Sequence, residues 1–146
     1  MAGIQVQKVG MIILMERDLD AAISFYLRLG LSLKFRMKEK WAEFDINGVK
    51  LGLCPTAQDM QGRRSGFVLE IADVRQAYEE LKGELTFLGE PVEALHGIMV
   101  SIQDPGGNVF DLYQPTPEKV YEYAKTVKQE DEGCCGKQSS CKKSEC

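Results

Sequence analysis

Four thiols close the chain: Cys134, Cys135, Cys141 and Cys146 fall within its last thirteen residues. Thiolates gathered on one segment can capture a soft ion such as zinc, copper(I), cadmium or arsenite, or oxidise to disulfides within or between chains. Their spacing lacks the paired CxxC elements that preorganise a tetrahedral zinc site, so a polar tail with incidental thiols remains the plainer alternative. The fifth cysteine, Cys54, ends an apolar stretch and reads as a small buried hydrophobe rather than a nucleophile. Glu70 interrupts the apolar run Phe67-Val68-Leu69-Glu70-Ile71, and a carboxylate inside an apolar cavity is costly unless it is paired or wet. Buried without a counter-ion, Glu70 or Asp111 would hold a proton tightly enough to act as general base for proton abstraction or epimerisation. Lys50 is a candidate partner that would instead make Glu70 half of a structural ion pair. The single histidine, His96, stands before Gly97 at a strand entrance and reads as a turn residue.

The elements that must position these groups occur twice. Asp18-Leu19-Asp20-Ala21-Ala22-Ile23-Ser24-Phe25-Tyr26 is echoed by Asp73-Val74-Arg75-Gln76-Ala77-Tyr78-Glu79-Glu80-Leu81, each an aspartate opening an amphipathic run after a strand-like stretch. Two copies argue for a duplicated module, since a solenoid needs three or more units to close a core. In the first copy, strand Val9 to Met15 leads to a helix capped by Asp18 and ended by Gly30. Leu31 to Met37 alternates as a half-exposed strand, and Trp41 to Ile46 and Val49 to Leu53 are strands joined by Asn47-Gly48, the strongest short hairpin signal. The second copy reads as strand Gly66 to Ile71, helix Asp73 to Gly83, strand Phe87 to Val92, strand Ile98 to Ile102, turn Asp104-Pro105-Gly106-Gly107, and strand Asn108 to Tyr113. Each module is therefore βαβββ. The expected organisation is a domain over residues 1–116, a helix over 117–129 with Thr116 as N-cap, and a mobile Cys-rich tail over 130–146.

Composition sets outer limits. With 146 residues, 44% hydrophobic, 27% charged and a net charge of −4, the chain fits one globular domain with an ordinary core. No run is long and apolar enough for a membrane span, and no signal peptide opens the sequence, so the expected location is the cytoplasm. The mildly acidic balance gives little electrostatic reason to bind nucleic acid, and the clustered cysteines agree with a reducing compartment.

Asp18-Leu19 followed by Phe25-Tyr26 and Gly30, with Asp104-Pro105-Gly106-Gly107-Asn108 leading into Phe110-Asp111-Leu112, resembles the vicinal oxygen chelate superfamily of glyoxalase I, bleomycin-resistance proteins, fosfomycin-resistance enzymes and extradiol dioxygenases. The resemblance covers residues 7 to 116. It implies an α+β fold in which two tandem βαβββ modules form an incomplete barrel around a cavity, often completed by dimerisation. Function does not follow from it, because the superfamily hosts unlike chemistries and pure binding on one scaffold. In metal-using relatives the first and last strands of each module supply four ligands, commonly His and Glu. Those positions correspond here to Met11, Gly52, Gly66 and Asp111, of which only Asp111 can ligate a hard or borderline cation. No metal or other cofactor is therefore expected in the domain, and a soft metal on the tail stays open.

Strand alternation sends Ile12, Leu14, Phe67, Leu69, Ile71, Phe110 and Leu112 toward the helices as core. Met11, Ile13, Met15, Lys50, Cys54, Val68, Glu70, Val109, Asp111 and Tyr113 then line the cavity, a mostly apolar surface with a few polar groups, as small-molecule sites have. Asp111 can equally be solvated or bonded to Tyr113. Three functions remain: a metal-independent binding protein of the bleomycin-resistance type, taken as the primary reading; a glyoxalase-like lyase, isomerase or dioxygenase-type oxidoreductase using an atypical metal site or a carboxylate base; and a thiol-based metal or metalloid handling or redox protein. The expected partners are a small-molecule ligand and a second copy in a twofold homodimer, with neither nucleic acid nor membrane.

Overall fold

The computed structural model describes residues 3–135, with side chains over 3–127. Strand β1 (Met11–Glu16) turns into helix α1 (Leu19–Arg28) because Asp18 stays extended and its carboxylate accepts the Ala21 N–H at 3.1 Å. The second module repeats the device: β5 (Arg63–Glu70) precedes Asp73, which accepts the Gln76 N–H at 3.0 Å and opens α2 (Val74–Leu81). Each such cap is worth about 1 kcal/mol. Gly30 ends α1 at φ +90°, a conformation that side chains with a β-carbon disfavour.

Three strands complete the first module, β2 (Ser32–Met37), β3 (Trp41–Ile46) and β4 (Val49–Pro55), with Asn47 and Gly48 both at positive φ in the β3–β4 hairpin. They form a sheet in the order β1-β4-β3-β2, with β1 parallel to β4. The second module adds β6 (Thr86–Phe87), β7 (Val92–Ala94), β8 (Gly97–Gln103) and β9 (Asn108–Pro115), in the order β5-β9-β8-β6 with β7 also on β8. The two sheets do not close into a barrel, and the α+β half-barrel expected from the repeat is the fold observed.

Three boundaries differ from the sequence reading by more than two residues. The single strand expected over Phe87 to Val92 is split into β6 and β7, because Gly89-Glu90-Pro91 interrupts it and a proline cannot donate to the ladder. Strand β5 starts at Arg63 rather than Gly66, and a bulge between Arg64 and Val68 absorbs the extra residues around Gly66, at φ +77°. Helix α3 (Pro117–Cys135) runs beyond Gln129, since no proline or glycine stands between Pro117 and Gly133. Cys134 and Cys135 end its backbone, whereas Cys141 and Cys146, with the side chains of all four tail cysteines, lie outside the described residues. Among the described residues no helix is long and apolar enough to cross a membrane.

One core joins the modules. All seven positions assigned to it by alternation are buried in it or packed against it. Helix α1 contributes Leu19, Ala22, Ile23, Phe25 and Tyr26, and β9 crosses to meet it through Phe110, which stacks on Phe67 at 4.8 Å and meets Tyr26 at 6.1 Å between ring centroids. Burying aromatic rings of this size removes about 1.5–3 kcal/mol of apolar exposure each. The two halves are thereby held as one body.

Candidate functional site

With Leu14, Leu51, Leu53 and Phe44 turned toward the helices, the alternate positions form the opposite face. On the first sheet, register puts Met11 beside Lys50 and Asp45, Ile13 beside Gly52 and Glu43, and Met15 beside Cys54. Edge strand β2 continues the face with Phe35 opposite Glu43 and Met37 opposite Trp41. On the second sheet, Val68 pairs Asp111, Asp111 pairs Ser101, and Glu70 pairs Tyr113. Met11, Ile13, Phe35, Met37 and Val68 on this face are each 37–54% exposed, an uncovered apolar surface of the kind that marks an interaction site.

Trp41 dominates the first sheet. Its indole lies over Gly52, where Cη2 and Cζ2 occupy the space a β-carbon would need. The indole N–H donates to Glu43 Oε2 at 3.3 Å, and Glu43 is only 6% exposed. Neither Trp41, Glu43, Phe35 nor Met37 was identified from the sequence, although the alternation Trp41, Glu43, Asp45 along β3 holds the signal. What the alternation lacked was the register of β3 against β4, which alone brings Glu43 beside Gly52.

On the second sheet a cavity of about 360 Å³ is lined by Leu88, Glu90, Val92, Met99, Ser101 and Asp111. Asp111 Oδ1 accepts the Ser101 hydroxyl at 2.6 Å, and the Tyr113 hydroxyl donates to the His96 carbonyl at 2.8 Å. Of the two alternatives for Asp111, the bond to Tyr113 is thus not made: Asp111 meets Ser101 across the β8–β9 ladder, and Tyr113 meets the turn at His96. Lys50 and Glu70 form no ion pair, since they sit on different sheets, and Glu70 is solvent-exposed instead of enclosed. Val109, expected on the lining, is buried at 3% exposure. Cys54 is half-buried, and His96 is an exposed turn residue between β7 and β8.

The Asp-Pro-Gly-Gly-Asn turn serves elsewhere, at the joint between modules. Asp104 accepts the Tyr26 hydroxyl at 2.7 Å and the Asn108 backbone N–H at 2.9 Å, while the Asn108 amide donates to the Met15 carbonyl at 2.8 Å and to Glu16 Oε1 at 3.2 Å. Glu16 is fully buried. Loss of hydration, with Asp104 alongside, pushes its carboxyl up to about 10. Glu16 is therefore a neutral acid at pH 7, and Oε2, the oxygen that receives no donor, is free to carry the proton. Gly106 makes room, because a β-carbon there would collide with Oε2. Tyr26 likewise holds its proton far more tightly than a free phenol, through burial first and the Asp104 charge second.

The family model for the Glyoxalase/Bleomycin resistance protein/Dioxygenase superfamily matches residues 8–112. The chain belongs to this superfamily. Within it, the chain is 31% identical over 110 residues to an uncharacterized protein of Mycolicibacterium smegmatis, covering 74% of this chain and 94% of that one. The superfamily fold recurs in TnmS3, an antibiotic binding protein from Streptomyces sp. CB03234, at TM-score 0.64 and 24% identity over 78% of this chain and 100% of that one. It recurs also in a lactoylglutathione lyase from Agrobacterium tumefaciens, at TM-score 0.62 and 19% identity over 75% of this chain and 95% of that one.

The superfamily's divalent metal can be tested against the four corresponding positions. Met11 offers a thioether that is poorly suited to a hard cation. Gly52 has no space for a longer side chain while Trp41 covers it, and Gly66 sits at φ +77° in a bulge that disfavours any residue with a β-carbon. Asp111 is the one donor, and its Oδ1 is engaged by Ser101. Among the described residues no three His, Cys, Asp or Glu side chains gather to hold a metal ion. The residues present do not fit the standard site.

Proposed function

We propose that this superfamily member is a binding protein that holds a small, flat, largely apolar molecule on the face opposite its helices, independently of a divalent metal. The observation that carries this reading is the Trp41 indole seated over Gly52. It places an aromatic ring where metal-using relatives are expected to present a charged ligand, and aromatic pairs gain about 0.5–1.5 kcal/mol beyond simple burial. Met11, Ile13, Phe35 and Met37 surround it, and flexible thioethers let an apolar surface fit an irregular guest. The shared fold with an antibiotic binding protein supports the reading, and the shared fold with a lyase shows why fold alone does not decide it.

Trp41 is the only tryptophan and reports directly on its own face. Titration with 2-naphthol in the presence of EDTA should quench its emission saturably, with equal affinity when EDTA is omitted. Calorimetry on Trp41→Ala should show affinity about tenfold weaker. A divalent ion retained stoichiometrically beside Asp111, and needed for binding, would overturn the proposal.

A second reading rests on Asp111, which opens on the 360 Å³ cavity with Ser101 bonded to it. A carboxylate so placed could act as base in a glyoxalase-like lyase or a dioxygenase-type enzyme. The exposed apolar edge strand β2, with Phe35 and Met37, favours a twofold homodimer as the working assembly. Elemental analysis of the full chain and of a form ending at Gln129 separates a domain metal from one held by Cys134, Cys135, Cys141 and Cys146.

A further inference from the structure

We propose that the chain supplies the outer wall of its own ligand face: the segment before β1 folds back over that face when a ligand occupies it, and Ile4 and Val6 touch the ligand. The inference rests on the reading of the Trp41 face as the ligand site and adds residues to it. Residues 3–10 form neither helix nor strand, and all of them are exposed. Ile4 and Val6, at 99% and 88%, are the most exposed large apolar side chains among the described residues. In an extended segment they share one face, and Gln5 and Gln7 share the other. Such a segment suits a place that is apolar below and wet above.

The segment joins the ligand face directly. Met11, the first residue of β1, belongs to the face, and a β-carbon built on Gly10 before it would meet nothing within 4 Å. A glycine in open space lets the chain reverse there. Reach is sufficient. Met11 pairs Lys50, which pairs Asp45, so β3 lies two ladder spacings, about 10 Å, from β1. Trp41 stands four residues from Asp45 along β3, about 13 Å, and so about 16 Å from Met11 on the diagonal. Residues 4–9 span about 20 Å when extended, which carries Ile4 to the indole and leaves Val6 between Trp41 and Met11.

Energy explains why the segment stands free of the face without a ligand. Fixing the backbone of residues 3–9 costs more than burying Ile4, Val6 and Val9 gains. A flat apolar guest adds its own upper side to the contact, and Met11, Ile13, Phe35, Met37 and Val68 lose their remaining water in the same step. Binding thus selects the folded-back form.

The test is NMR on the full chain saturated with 2-naphthol. Contacts from the naphthol ring should appear at the methyl groups of Ile4 and Val6 as well as at Trp41. Trypsin cleavage after Lys8 should slow about tenfold on saturation, while cleavage after Lys125 on α3 stays unchanged. Ile4→Ser with Val6→Ser should weaken 2-naphthol about tenfold, read by Trp41 emission, and Gln5→Ser with Gln7→Ser by less than about twofold. Melting temperatures should match the wild type in both, because all four side chains lie in water. Unchanged affinity in the Ile4 and Val6 pair, with no naphthol contact to either residue, would overturn this inference and leave the ligand face standing. Absence of saturable quenching in the wild type would remove both. Affinity that rises with protein concentration would put the segment of a second copy over the face, and would overturn folding back within one chain.

Discussion

The indole of Trp41 covers Gly52 so closely that a β-carbon there would have to displace the ring. A glycine in mid-strand normally weakens a sheet, yet here its lack of a β-carbon lets the far edge of a large ring come down onto the ladder. The pair makes the middle of the first sheet an aromatic surface.

That relationship predicts a strong coupling. Gly52→Ala alone should cost about 1–3 kcal/mol of unfolding free energy, because the ring must lift off the sheet. In a Trp41→Ala background the same change should cost less than about 0.5 kcal/mol. Urea denaturation of the four proteins checks it. Additive effects would mean that the ring accommodates the methyl without moving.

The buried Glu16 carboxyl predicts an unusual pH dependence. Its folded value, about 10, lies above the ordinary carboxylate value of 4.5, so the native state holds a proton that the unfolded chain releases. Stability from this group is fully present below about pH 4.5 and is lost as pH rises toward 10. Glu16→Gln keeps a neutral hydrogen-bonding group beside Asp104 and Asn108 without a proton to lose. The variant should therefore exceed the wild type in stability at pH 9 by more than about 1 kcal/mol, with the difference shrinking toward pH 5. Parallel profiles for the two proteins in urea melts from pH 5 to pH 9 would show that Glu16 is ionised in the folded state.

Gly66 predicts a purely conformational cost. It occupies open space, so Gly66→Ala introduces no clash, but its φ of +77° belongs to glycine. The alanine variant should lose about 1 kcal/mol and Gly66→Asn about half of that, since asparagine tolerates the left-handed region better. Thermal melts distinguish the pair, and equal stability of all three proteins would mean that the bulge relaxes.

Most of the fold was legible in local signals. Asp18 and Asp73 cap helices through their own side chains, Asn47-Gly48 makes its hairpin, and Ile12, Leu14, Phe110 and Leu112 reach the core through simple alternation. These features depend on residues a few positions apart. The site was less legible because it depends on partners far apart in the chain. Lys50 and Glu70 both lie on strand faces that alternation predicts, yet they belong to different sheets. Asp111 meets Ser101 rather than Tyr113 because cross-strand neighbours are closer than alternate residues of one strand. Glu16 continues the core alternation of Ile12 and Leu14, and only the arrival of Asp104 and Asn108, some ninety residues later, shows why a carboxyl can stay there.

By itself, then, the sequence determined a duplicated strand-helix-strand module and the glycine and thioether character of positions where relatives bind metal. Those are properties of side-chain type and short-range period. The tertiary structure decided that an indole fills the space over Gly52 and that a fully buried carboxyl, Glu16, sits in the module joint. Such outcomes turn on sheet register and on the meeting of the two halves, which no local pattern encodes.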